Sequence, residues 1–165
     1  IKQKNIFTVL LNGKDQLLVE DELMDLEDLK QSAIDFLDNG GGGMDSNWVI
    51  WNDQTNDWEN TGKSGCNYCN GKRDPKSSDN PDKAIISLKN ERETSYATYV
   101  SVQNEIMAAY AHVRNQRGLK LFGETYEDMK KSWYDVNSPE HKSIQLKKKI
   151  DQIKKEYPQK FSEVE

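Results

Sequence analysis

Two short apolar runs, 6–11 and 84–88, constrain the fold more than any other feature of this sequence. Each is long enough for one strand and falls far below the roughly 20 apolar residues that cross a bilayer. What the chain buries must therefore be organised around two short strands and the amphipathic helices beside them. Charged residues make up 31% of the chain and hydrophobic ones 35%, with a mean hydropathy of −0.94. So small an apolar inventory fills one modest core, in one domain over 1–165.

Around the first run the pattern is a β-hairpin over 6–23. IFTVLL is β-branched and aliphatic, Asn12-Gly13-Lys14-Asp15 carries turn chemistry, and QLLVE returns the chain. From 25 to 38 the period becomes helical, with Leu26, Leu29, Ala33 and Leu37 on one face. Asp25 is placed to cap this helix, Glu27 and Asp28 complement its dipole, and the glycines at 40–43 end it.

The second run, AIISL, reads as a buried strand. Thr94 or Ser95 then caps the longest helix, whose apolar face is Tyr99, Val102, Ile106, Tyr110 and Val113, flanked by Tyr96 and Met107. Arg114 and Arg117 suit its C-terminal end, and Gly118 is the expected stop. Ser138-Pro139-Glu140 is the expected start of a last helix bearing Leu146, Ile150 and Ile153. Pro158 forbids its continuation, and the closing YPQKFSEVE alternates as an edge strand does. The order is β-β-α-(insertion)-β-α-α-β, an α+β fold with a small mixed sheet and helices packed on one face.

Residues 39–83 form a Gly/Asn/Asp-rich insertion holding three of the four tryptophans and both cysteines. Loops this long are functional, disordered or inserted. Within it, WVIW has the makings of a short strand. Trp48, Trp51 and Trp58 either fold back over the sheet or form an exposed contact patch. Tyr68 in the insertion, with Tyr157 and Phe161 near the C-terminus, completes the set of candidate partner contacts. The Cys66-Asn67-Tyr68-Cys69 segment is compatible with a local disulfide, with two free thiols, or with metal or redox chemistry. The disulfide is the default in an oxidising compartment.

Catalytic and cofactor signatures are missing. His112 and His141 have no Ser, Cys or Asp partner at a recognised spacing, so no enzyme activity is expected. Thr61-Gly62-Lys63-Ser64 lacks the earlier glycine of a phosphate loop, and Asp57 in its place would repel a phosphate. Oxygen side chains at Asp53, Thr55, Asp57, Glu59 and Thr61 approach calcium-loop spacing, but Trp58 stands at the glycine position and Ser64 at the bidentate glutamate. One CxxC without further ligands does not build a zinc site. The net charge of −5 comes from interspersed signs, which argues against a nucleic-acid partner. No metal and no cofactor is expected.

Two blocks, FTVLLNGKDQLLVEDELMDLEDLKQSA and KAIISLKNERETSYATYVSVQNEIMAAY, resemble the ExbD/TolR family. They match its opening strand, polar turn, second strand and L-x-x-L helix start at Leu26 and Leu29, then its buried strand and Val-rich helix. Together they cover about 55 of the 165 residues, and YPQKFSEVE is similar to the terminal strand of an insertion-bearing branch. The resemblance implies the periplasmic domain of a single-pass inner-membrane protein, anchored by a helix expected upstream of Ile1. That helix would carry the proton-handling aspartate of a proton-driven motor that energises transport across the outer membrane. The implied partners are an ExbB-type channel subunit, a TonB-type energy transducer and a second copy of the chain. A TolR-like branch would add peptidoglycan. Asn90 stands where the family usually has aspartate, and 118–155 is longer. Strand addition by a partner is expected at the N-terminal strand in KQKNIFTV or the C-terminal strand in YPQKFSEV. A ligand-binding protein using the Trp-rich loop is the rival from another class.

Overall fold

The computed structural model describes residues 1–41, 49–60 and 66–164. In β1 (Ile6–Leu11) the side chains alternate, with Phe7, Val9 and Leu11 buried and Ile6, Thr8 and Leu10 on the opposite face. The Asn12 side-chain oxygen accepts from the Lys14 and Gln16 amides, each at 3.0 Å, and so folds the chain back into β2 (Leu17–Val19). Left-handed Glu20 and Asp21 turn it again into the two-residue β3 (Glu22–Leu23).

Helix α1 (Leu26–Leu37) starts and ends close to expectation, except that Asp25 occupies the cap position without a side-chain capping hydrogen bond. Within the insertion, β4 (Val49–Asn52) and β5 (Asp57–Asn60) make a separate hairpin that sets Trp51 opposite Trp58. β6 (Ile85–Asn90) runs parallel to β1, and β7 (Phe161–Val164) runs parallel to β6. The sheet order is β3-β2-β1-β6-β7, antiparallel through the hairpins and parallel beyond β1. β1 therefore lies in the middle of the sheet, with β2 and β6 on its two sides. The expectation that the N-terminal strand is a docking edge is wrong, because β6 occupies that side.

Ser95 caps α2 (Tyr96–Phe122), accepting from the Thr98 amide at 3.3 Å. The helix does not stop at Gly118; it continues to Phe122 and ends on Gly123, whose φ is 74°. Gly118 has a different reason to be small. A Cβ there would lie 2.5 Å from the Glu124 carbonyl oxygen and 2.9 Å from the Tyr126 amide, where the chain doubles back. Thr125 then caps α3 (Tyr126–Tyr134), a helix the sequence pattern did not disclose. The Ser138-Pro139-Glu140 signal also misleads: these residues form turns, and Ser143 caps α4 (Ile144–Glu156).

Helices α1 and α2 cover one face of the sheet. Leu29, Ala33, Phe36 and Leu37 with Val102, Ile106, Ala109 and Tyr110 bury the inward residues of β1, β2 and β6. Contrary to the single core expected, a second apolar cluster of Tyr126, Met129, Leu146, Ile150 and Ile153 joins α3 to α4. It packs where α2 outruns the sheet.

The inserted residues from 66 to 82 are tied to the domain by polar contacts. Buried Asn39 donates to the Ser78 carbonyl at 2.7 Å and accepts from the Asp74 amide at 2.9 Å. Asn5 accepts from the Asp79 amide at 2.8 Å, and Lys4 pairs with the Asp79 carboxylate at 2.5 Å.

Candidate functional site: the C-terminal strand and its open edge

One face of α2 holds the C-terminal segment in place. Tyr99, Gln103, Met107, Tyr110 and Arg114 recur at three- and four-residue spacing and therefore line up along the helix. Arg114 Nε donates to the Tyr157 carbonyl at 2.9 Å, and the Tyr110 hydroxyl to the Lys160 carbonyl at 3.1 Å. Gln159 reaches Met107 Sδ at 3.1 Å, Gln103 donates to Glu163 at 2.6 Å, and the Tyr99 hydroxyl donates to the same carboxylate. That bond holds the Tyr99 proton and pushes its pKa up to about 12. Burial does the same to Tyr110, also to about 12.

β7 is thus fixed from two sides. Its ladder with β6 begins with the Ile86 amide donating to the Lys160 carbonyl at 3.0 Å. In a parallel ladder the backbone groups alternate direction, so Ser162 and Val164 face β6 while Phe161 and Glu163 turn theirs outward. No described residue pairs with that outer side. The opposite edge, β3, is only two residues long and follows two left-handed residues, a geometry that discourages pairing. On the sheet face opposite α1 and α2, register aligns Leu23, Leu18, Leu10, Lys89 and Val164 in one row that ends at the β7 edge.

The candidate contact residues fall into three groups. Tyr157 is buried, its hydroxyl donating to Asp38 at 2.6 Å, and its ring meets Tyr68 at 5.5 Å. Tyr68 is half-buried and donates to the Glu156 carbonyl at 2.5 Å, with the Arg117 guanidinium 5.0 Å above its ring. Phe161 is half-buried and packs on the main core. All three rings pack against the main core, Tyr157 fully and Tyr68 and Phe161 in part. Trp51 is 44% exposed. Trp48 lies outside the described residues, and Trp58 is placed only by its backbone register.

Cys66 and Cys69 form a disulfide, both buried. The sequence gives no sign of the group that steadies this loop. Arg73 donates to the carbonyls of Gly40 at 2.9 Å, Cys66 at 2.6 Å and Cys69 at 3.1 Å. Nearby, a cavity of about 350 Å³ is lined by Asp38, Asn70, His112, Arg117, Lys120 and Tyr157 among others. Burial raises the Asp38 carboxyl above its ordinary value, while Arg117 is engaged by Glu156 at 2.5 Å.

His112 is exposed on α2, and His141 Nδ1 meets the Trp133 carbonyl at 3.0 Å. Among the described residues no group of three or more His, Cys, Asp or Glu is placed to hold a metal ion, and no helix is long and apolar enough to cross a membrane. No protein-family model, curated protein or solved structure matches the chain.

Proposed function

We propose that this chain is a coupling and binding domain that takes up an extended partner segment along the outer side of β7. The observation that carries it is the outward pair of backbone positions, Phe161 and Glu163, on a strand immobilised by α2 and β6. An edge that no described residue pairs with, on a strand tied down by hydrogen bonds, offers main-chain groups at a reduced ordering cost. At the edge itself Val164, with Lys89 beside it, is the neighbour that the row supplies to an added strand.

Taken with the two blocks similar to ExbD/TolR proteins, the best-supported role is the periplasmic domain of an ExbD-type subunit. The segment bound would belong to a TonB-type energy transducer, and the proton chemistry would reside outside these residues.

The test is binding of a purified periplasmic segment of a TonB-type protein. Both Glu163→Pro and Glu163→Ala lose the side-chain tie to Gln103 and Tyr99, but only Glu163→Pro also loses the outward amide, so it should weaken binding far more than Glu163→Ala, both with native circular dichroism. Equal binding by the two variants removes the strand-addition reading. Retention on purified peptidoglycan with no binding of the segment would move the assignment to a wall-binding domain.

A further inference from the structure

The charge of the chain is unevenly placed. Between Lys130 and Lys149 stand six lysines (Lys130, Lys131, Lys142, Lys147, Lys148 and Lys149) against Asp135 and Glu140, a balance of +4. The whole chain carries −5, so the remaining residues carry −9. This basic stretch is the turn end of the α3–α4 pair.

The same turn exposes three large apolar side chains, Tyr134 at 66%, Val136 at 76% and Ile144 at 71%. Their exposure does not come from a loose loop. The Lys142 amide donates to the Trp133 carbonyl at 3.0 Å, Trp133 Nε1 to the Ser143 carbonyl at 3.2 Å, and the Asp135 amide to the Lys131 carbonyl at 2.9 Å. The inward stripe of α4, Leu146, Ile150 and Ile153, is fully used by the second apolar cluster. Ile144 and Val136 belong to neither core. A firm turn therefore displays apolar side chains with exposed Lys131, Lys142 and Lys148 close in sequence to them, while Lys130, Lys147 and Lys149 lie over the rings of Tyr126, Trp133 and Phe122 and Lys147 also pairs with Asp151.

We propose that the α3–α4 turn is a contact for an anionic lipid surface. Tyr134, Val136 and Ile144 enter the headgroup region, and the lysines reach back to lipid phosphates. Apolar side chains with long cationic neighbours are the arrangement by which non-spanning segments hold to anionic bilayers. A protein partner of ordinary interface size needs a shaped surface of about 800 Å² per side. The end of a helix pair offers a few protruding side chains instead, which a bilayer accommodates without shape matching. The proposal is independent of strand addition at β7.

The experiment is co-sedimentation of the full chain with phosphatidylglycerol–phosphatidylcholine vesicles and with pure phosphatidylcholine vesicles. Binding is expected only to the anionic vesicles, and should fall as salt is raised. Val136→Asp with Ile144→Asp should weaken it about tenfold or more, and Lys131→Glu with Lys148→Glu similarly, as expected when apolar insertion and lysine attraction act together. All four positions are exposed, so the variants should keep native circular dichroism. No binding to anionic vesicles at low salt overturns the proposal, as does binding indifferent to both pairs. Salt-sensitive self-association in place of vesicle binding also overturns it, assigning the turn to the acidic surface of another copy.

Discussion

The Tyr110 phenol donates to the Lys160 carbonyl across 3.1 Å, joining the middle of α2 to the residue just before β7. The same carbonyl accepts from the Ile86 amide at 3.0 Å, so helix and sheet hold the terminal strand through one atom. Tyr110→Phe keeps the buried ring and loses the donor. It should cost about 1 kcal/mol by urea unfolding, the usual net worth of a hydrogen bond. Amide exchange should quicken first over 160–164, while the β1–β6 ladder stays protected.

Tyr99 and Glu163 make the second tie, and it depends on pH. The Tyr99 pKa lies at about 12 against an ordinary 10.0. A group held protonated by folding contributes stability that is complete below its unfolded value and lost as pH rises through the folded one. The difference in melting temperature between wild type and Tyr99→Phe should therefore be positive below pH 10.0 and shrink as pH approaches about 12. A difference constant across that window would contradict the assignment of this bond.

Gly118 separates helix propensity from packing. Alanine in mid-helix normally gains about 1 kcal/mol over glycine. Here its Cβ would meet the Glu124 carbonyl oxygen at 2.5 Å, a backbone atom with little freedom to yield. Gly118→Ala should be destabilising by about 1–3 kcal/mol, as overpacked sites are. Exchange should increase in α3 and α4 and not in the sheet.

Arg73 and the disulfide share one loop, and they can be separated. Reduction of Cys66–Cys69 opens a closure between residues only three apart in sequence, so its effect on global unfolding should be small. Arg73→Ala leaves three carbonyls without their guanidinium donor and should cost about 2 kcal/mol, in line with charge-assisted bonds. Limited proteolysis should cut the loop faster in Arg73→Ala than in the reduced wild-type protein.

Much of the fold is legible in the sequence because periodicity reports burial. The β1 alternation, the α2 face and the α4 triplet appear where their apolar spacing puts them, and so does the α1 stripe except at Leu26, which is exposed, while Ile34 and Phe36 join the buried face. α3 escapes that logic: only Tyr126 and Met129 are buried in nine residues, too few to show a period. Gly118 and Ser138 mislead for a related reason. Each carries a local signal for a helix end or start, while the deciding fact is distant: the return of the chain at Glu124 in one case, and the closing of the turn on Trp133 in the other. The site divides in the same way. β7 is visible as an edge strand, but its α2 fastening is not, because Tyr99, Gln103 and Tyr110 look like ordinary helix-face residues until residues 157–163 return beside them.

The measurement that bears most directly on strand addition is residue-resolved amide exchange of the full chain, with and without the TonB-type periplasmic segment. The outward amides of Phe161 and Glu163 should gain protection, while Ser162 and Val164, already facing β6, should change little. Protection that instead appears at β3, or nowhere along 161–164 while the segment is bound, would contradict the account.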